Sequence, residues 1–119
     1  MADVVVTVPK SLWDAWIDEG ELPGEPWGGM ESHFWLFGSR PEMAVGDRVY
    51  IVAHGRLRGC APLERIEERC RLRPEAHCLL RRNGAVAVTI TEPFRGFRGW
   101  RYVWWDRQAE RPFPDWRIP

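Results

Sequence analysis

The apolar residues of this 119-residue chain never run beyond about five in succession, the longest stretch being Val49–Ala53, and 11 glycines and 10 prolines punctuate the rest. Short apolar runs broken this often specify short strands and tight turns rather than long helices. A membrane-spanning helix, which needs about 20 consecutive apolar residues, is excluded. The length suits one domain over residues 1–119 with a single modest core. With 45% hydrophobic and 29% charged residues, the chain is expected to fold.

The net charge is zero, but the charges are not mixed. Residues 1–55 carry three basic residues (Lys10, Arg40, Arg48) against nine acidic ones, a net −6, whereas residues 56–119 carry 14 arginines against eight acids, a net +6. If the fold keeps these halves on different surfaces, one face can meet phosphate and the other cannot.

Cys60, Cys70 and Cys78 are odd in number and form no CxxC pair, and His33, His54 and His77 have no zinc-site spacing. The reading is therefore no disulfide framework, no structural metal and reduced thiols in the cytoplasm. The start, MADVVVTV, has neither the basic nor the long apolar region of a secretion signal. Walker, GxGxxG and calcium-loop patterns are missing, so no cofactor is expected.

Val4–Val8 is a β-branched run stopped by Pro9, which predicts a strand. Ser11 followed by Asp14 suits a helix start, Leu12, Trp13, Trp16 and Ile17 share one helical face, and Gly20 suits a stop. Residues 20–29, GELPGEPWGG, read as a loop carrying Trp27, and His33–Phe37 as a further apolar run. Arg48–Ala53 and Arg56–Ala61 flank His54-Gly55 and predict a hairpin. Residues 62–76 look charged and irregular, with a short helix near Leu63–Arg69. Asn83-Gly84 predicts a type I′ hairpin between 78–81 and 85–90.

Phe94-Arg95-Gly96-Phe97-Arg98-Gly99-Trp100-Arg101 repeats aromatic-Arg-Gly and continues as Tyr102-Val103-Trp104-Trp105. Arginines interleaved with rings suit a single-stranded nucleic acid, because guanidinium groups neutralise phosphates and rings stack on bases. The competing reading is a strand with Trp100, Tyr102 and Trp104 in the core, leaving Trp105 as the ring freer to serve a surface. The tail Arg111–Pro119 suits either a seal over the core or a protein-binding segment.

Gly46-Asp47-Arg48-Val49-x-Ile51 followed by Gly55-Arg56-Leu57-Arg58-Gly59-x-Ala61 resembles the central hairpin of the PUA-like superfamily. The early helix and the late aromatic strand are similar to its ASCH and EVE branches. The resemblance implies an α+β fold: a small mixed β-barrel of about five to six strands with short flanking helices. It also implies RNA or a modified base as ligand, held in a cleft between the first helix and the barrel.

On that basis Lys10, Trp13, Trp27, His33, Trp35, Arg56 and Arg58 are the candidate lining of a base pocket. Arg95, Arg98 and Arg101 are the candidate phosphate contacts. Trp27 is placed as a lid, since a lone Trp in a Gly/Pro loop has little core to join. The alternative is a small amidohydrolase acting on an acylated nucleoside, with Lys10 as a proton-transfer group and Glu64 as its carboxylate. Trp13 stands where the ASCH pattern has a Thr, which favours binding over catalysis. A third reading is a protein-interaction domain, since Trp and Arg are enriched at interface hot spots.

Overall fold

Val4, Val5 and Val6 are all buried, so the first strand needs cover on both faces and belongs in the interior of a sheet. The computed structural model, which describes residues 2–13, 32–36, 40–67, 77–81, 86–97, 99–116 and 118, places it there. Strand β1 (Val4–Thr7) runs parallel to β3 (Arg48–Ala53) and antiparallel to β7 (Trp100–Tyr102). With β2 (Ser32–Leu36), β4 (Arg56–Glu67) and β5 (His77–Arg81) it forms a six-stranded sheet of order β2-β5-β4-β3-β1-β7. A separate ribbon pairs β6 (Val88–Thr89) with β8 (Arg111–Pro112), and a bridge between Cys60 and Val86 ties it to β4.

The alternation of side chains divides the core between the two faces of the sheet. Val4, Val6, Val49, Ile51, Ala53, Leu63 and Leu79 cluster with Trp13 and Trp116 on one face. Val5, Tyr50, Val52, Leu57, Cys60, Ile90 and Phe94 cluster on the other.

This architecture corrects the expected α+β barrel. Among the described residues the sheets are open and no barrel closes. Strand β7 is three residues long and pairs only with β1, while β2 lies at the far edge, so the ends of the sheet never meet. Among the described residues helix is limited to two three-residue 3-10 turns, Lys10–Leu12 and Arg107–Ala109, and to Trp13, which follows the first of them in α-helical conformation. The remainder of the expected first helix, residues 14–20, lies outside the described residues. None of the described helices is long and apolar enough to cross a membrane.

Two local expectations also fail. Residues 63–67 continue β4, because Leu63 and Ile66 join the core while Arg65–Glu67 pairs with β5. A register shift between Leu63 and Arg65 gives these apolar residues a spacing that mimics a helix. Residues 78–81 pair with β2 and β4, and residues 86–89 with Cys60 and β8, so the two segments flanking Asn83-Gly84 do not pair with each other. The β3–β4 hairpin does form, with positive φ at both His54 (49°) and Gly55 (74°), as a type I′ turn demands.

Candidate functional site

Past β7 the chain leaves the sheet, and its rings separate into anchored and exposed. Trp105 donates from Nε1 to Glu110 Oε2 at 2.9 Å and packs edge-on against Tyr50 and Phe94. Trp104, held against Phe94 and Trp105 at centroid distances of 5.4 and 5.2 Å, is 50% exposed. The expectation is thus reversed: Trp105 is the structural ring and Trp104 the surface ring. The cause is a carboxylate that only Trp105 reaches. Tyr102, 44% exposed, and Trp100 pack edge-to-face on the opposite side of β7, in register with Val4 and Val6.

Arg56, Arg95 and Arg101 are exposed. Arg101 is in register with Val5, and its guanidinium lies 4.7 Å from the Phe97 ring centroid. Phe94 donates its backbone N–H to the Gly55 carbonyl at 2.8 Å. Arg95 and Arg56, each the next residue after a member of that bonded pair, therefore share one edge. Arg56, Arg95 and Arg101 form no ion pair among the described residues. Arg98 lies outside them.

Glu110, its side chain 6% exposed, organises the floor of this surface. Besides Trp105 it accepts the Tyr50 hydroxyl at 2.6 Å and an Arg48 N–H at 3.4 Å. Burial, and then the bond to Glu110, push the Tyr50 phenol above its ordinary range. The hydrogen bond to Tyr50 is the main cause of an upward shift at Arg48. Every donor in this network has its acceptor, so it fixes position rather than offering a reactive group.

On the other face, Trp13, Arg56 and Arg58 of the expected base pocket do come together. Arg58 sits at a β-bulge between the pairs Ile51↔Gly59 and Val52↔Leu57, which turns it under the hairpin. Its guanidinium is 5.6 Å from the Trp13 ring and 5.4 Å from the Phe113 ring, and Arg56 lies 4.9 Å from Phe113. Trp13 is 1% exposed and Trp116 packs edge-on against it at 6.1 Å, so the C-terminal segment fills the place expected for a base.

The remaining candidates disperse. Lys10 is exposed on the turn after β1, at the end of the sheet that carries His54-Gly55, because Thr7 is in register with Val52. Glu64 lies beyond the Arg48↔Pro62 pair, at the opposite end of β4, 3.9 Å from Arg65. The sheet therefore keeps the proposed Lys10–Glu64 dyad apart. His33 and Trp35 are placed on β2 opposite Leu80 and Cys78. Trp27 lies outside the described residues. Sequence reasoning missed Glu110 and Tyr50, which no local pattern connects.

These features define an open-sheet, predominantly β domain that presents a half-exposed tryptophan and exposed arginines. A family model described as "Protein of unknown function (DUF1489)" matches residues 39–117, and the chain belongs to that family. The match runs from the approach to β3 through Trp116, so it includes Trp104, Arg56, Arg58 and Phe113 but not Trp13. No curated protein and no solved structure matches the chain.

Proposed function

We propose that this domain binds single-stranded nucleic acid, with RNA as the first candidate, across the surface formed by Trp104, Arg56, Arg95 and Arg101. The observation that carries the reading is the division of labour between adjacent tryptophans. Trp105 is locked to Glu110, and this holds the Trp104 ring half out of the surface. A ring face at such a position stacks on any base, and the guanidinium groups neutralise the phosphates on either side of it. The +6 balance of residues 56–119 supports the same reading.

Titration of a fluorescent single-stranded oligonucleotide at rising salt tests it. Binding is expected at low salt, with log K falling linearly in log salt as counterions are released. Absence of binding to both RNA and DNA pools at low salt would remove the proposal.

A further inference from the structure

Arg58 is 3% exposed, yet no carboxylate among the described residues faces it. Its Nε donates to the Ala53 carbonyl at 2.9 Å, and NH2 reaches the His54 carbonyl only at 3.5 Å. Both NH1 bonds go to the C-terminal segment, to the carbonyls of Trp116 at 3.3 Å and Ile118 at 2.5 Å. Among the described residues, backbone carbonyls and the faces of Trp13 and Phe113 therefore compensate a buried cation, a weaker arrangement than a charged acceptor provides.

A second cation points the same way. Arg56 and Arg58 lie on the same face of β4 and flank one ring, Phe113. Burial and then the charge of Arg56 make Arg58 a weaker base than an ordinary arginine, so the two guanidinium groups repel. The turn that presents them holds His54 at positive φ, a conformation that costs a non-glycine residue energy and persists where surrounding structure imposes it.

We propose that Arg56 and Arg58 form a phosphate-binding site at the mouth of the β3–β4 hairpin, and that Phe113, Trp116 and Ile118 occupy it as a displaceable internal substitute. The Trp116 and Ile118 carbonyls both accept from Nη1 of Arg58, where a phosphate oxygen would accept, and the Phe113 ring lies against both cations. A phosphate brings formal negative charge to a pair of arginines that has none beside it among the described residues, and planar guanidinium groups match its oxygens. The segment is held by Phe113 N–H to the Ala87 carbonyl at 3.1 Å, Trp116 N–H to the Phe113 carbonyl at 3.2 Å and Ile118 N–H to the Asp115 carbonyl at 3.0 Å, and by burial of the Trp116 ring against Trp13, so a phosphate must offset the exposure of that ring. This site shares Arg56 with the Trp104 surface, so Trp104→Ala, which alters only that surface, and Trp116→Ala, which alters only this site, tell the two proposals apart.

The test uses the intact chain with inorganic phosphate and adenosine monophosphate as probes, and sodium chloride at matched ionic strength as control. Amide hydrogen exchange at Trp116 and Ile118 should accelerate about tenfold or more at saturating phosphate, while Val49–Ile51 stays protected. Trp116→Ala should bind phosphate about tenfold more tightly than the parent, because the competing occupant is weakened. Trp104→Ala should change neither result. A response to both probes supports a site for the phosphate group itself, and a response to the nucleotide alone supports one that also needs the attached ring. Exchange at Trp116 and Ile118 that phosphate and nucleotide raise no more than chloride does would overturn the proposal. So would a folded Trp116→Ala variant with unchanged phosphate affinity. If that variant fails to fold, the exchange measurement on the intact chain decides.

Discussion

The Tyr50 hydroxyl donates a 2.6 Å hydrogen bond to Oε2 of Glu110, sixty positions further along the chain, and Trp105 Nε1 donates to the same oxygen. One buried carboxylate thus joins a central strand to the segment that carries the exposed tryptophan. Glu110→Ala strands two buried donors and should cost about 2–4 kcal/mol of stability, whereas Glu110→Gln keeps an acceptor and should cost about 1 kcal/mol. Urea unfolding followed by tryptophan fluorescence measures both. Equal losses would show that shape, not hydrogen bonding, is what Glu110 supplies.

The same pair sets an alkaline limit. The folded chain holds the Tyr50 proton above the ordinary phenol value of 10.0, where the unfolded chain releases it. The stability this group contributes is therefore complete below about pH 10 and declines as the pH rises beyond it. Denaturation midpoints collected from about pH 8 to about 11 should fall at the upper end in the parent. In Tyr50→Phe they should start lower and lose that extra slope; parallel profiles would contradict the linkage.

Trp104 and Trp105 should respond oppositely to truncation. Trp104→Ala is expected to weaken oligonucleotide binding by about 1–3 kcal/mol, with about 1 kcal/mol or less of lost stability. Trp105→Ala removes a packed ring and a satisfied N–H, and should lower the melting temperature well before binding is considered. The idea is lost if Trp104→Ala binds like the parent.

Replacing Arg56, Arg95 or Arg101 by Gln, one at a time, should reduce the salt slope of single-strand binding by about 0.7 for each phosphate that is no longer neutralised. An unchanged slope in all three would place the nucleic acid elsewhere.

Gly59 packs where no side chain fits. A Cβ there would lie 2.7 Å from the Val86 carbonyl oxygen, the group that accepts the Cys60 N–H in the bridge to the second ribbon. Gly59→Ala should therefore cost about 1–3 kcal/mol, seen as a lowered urea midpoint. It should also speed exchange at the Cys60 and Val86 amides.

What the sequence disclosed follows the range of the interactions involved. The β3–β4 hairpin is legible because His54-Gly55 joins two strands that touch each other directly. The continuation of β4 to Glu67 is hidden because a bulge offsets Leu63 from Ile66 and imitates helical spacing. Asn83-Gly84 offers good turn chemistry, yet its flanking segments find partners elsewhere in the chain, which local propensity does not encode. The grouping of Trp13, Arg56 and Arg58 is legible too, but not that Trp116 fills it. The different fates of Trp104 and Trp105 depend on Glu110, whose reach across the sheet leaves no periodic trace.

The central place of β1 has a consequence for biosynthesis. Val4 pairs with Val49 and with Tyr102, which is made 98 residues after it. Until then the β1 valines wait as unpaired, apolar chain, a state prone to wrong association. Ribosome-stalled chains ending before residue 100 should therefore recruit chaperones and remain protease-sensitive, and chains that include β7 should escape both.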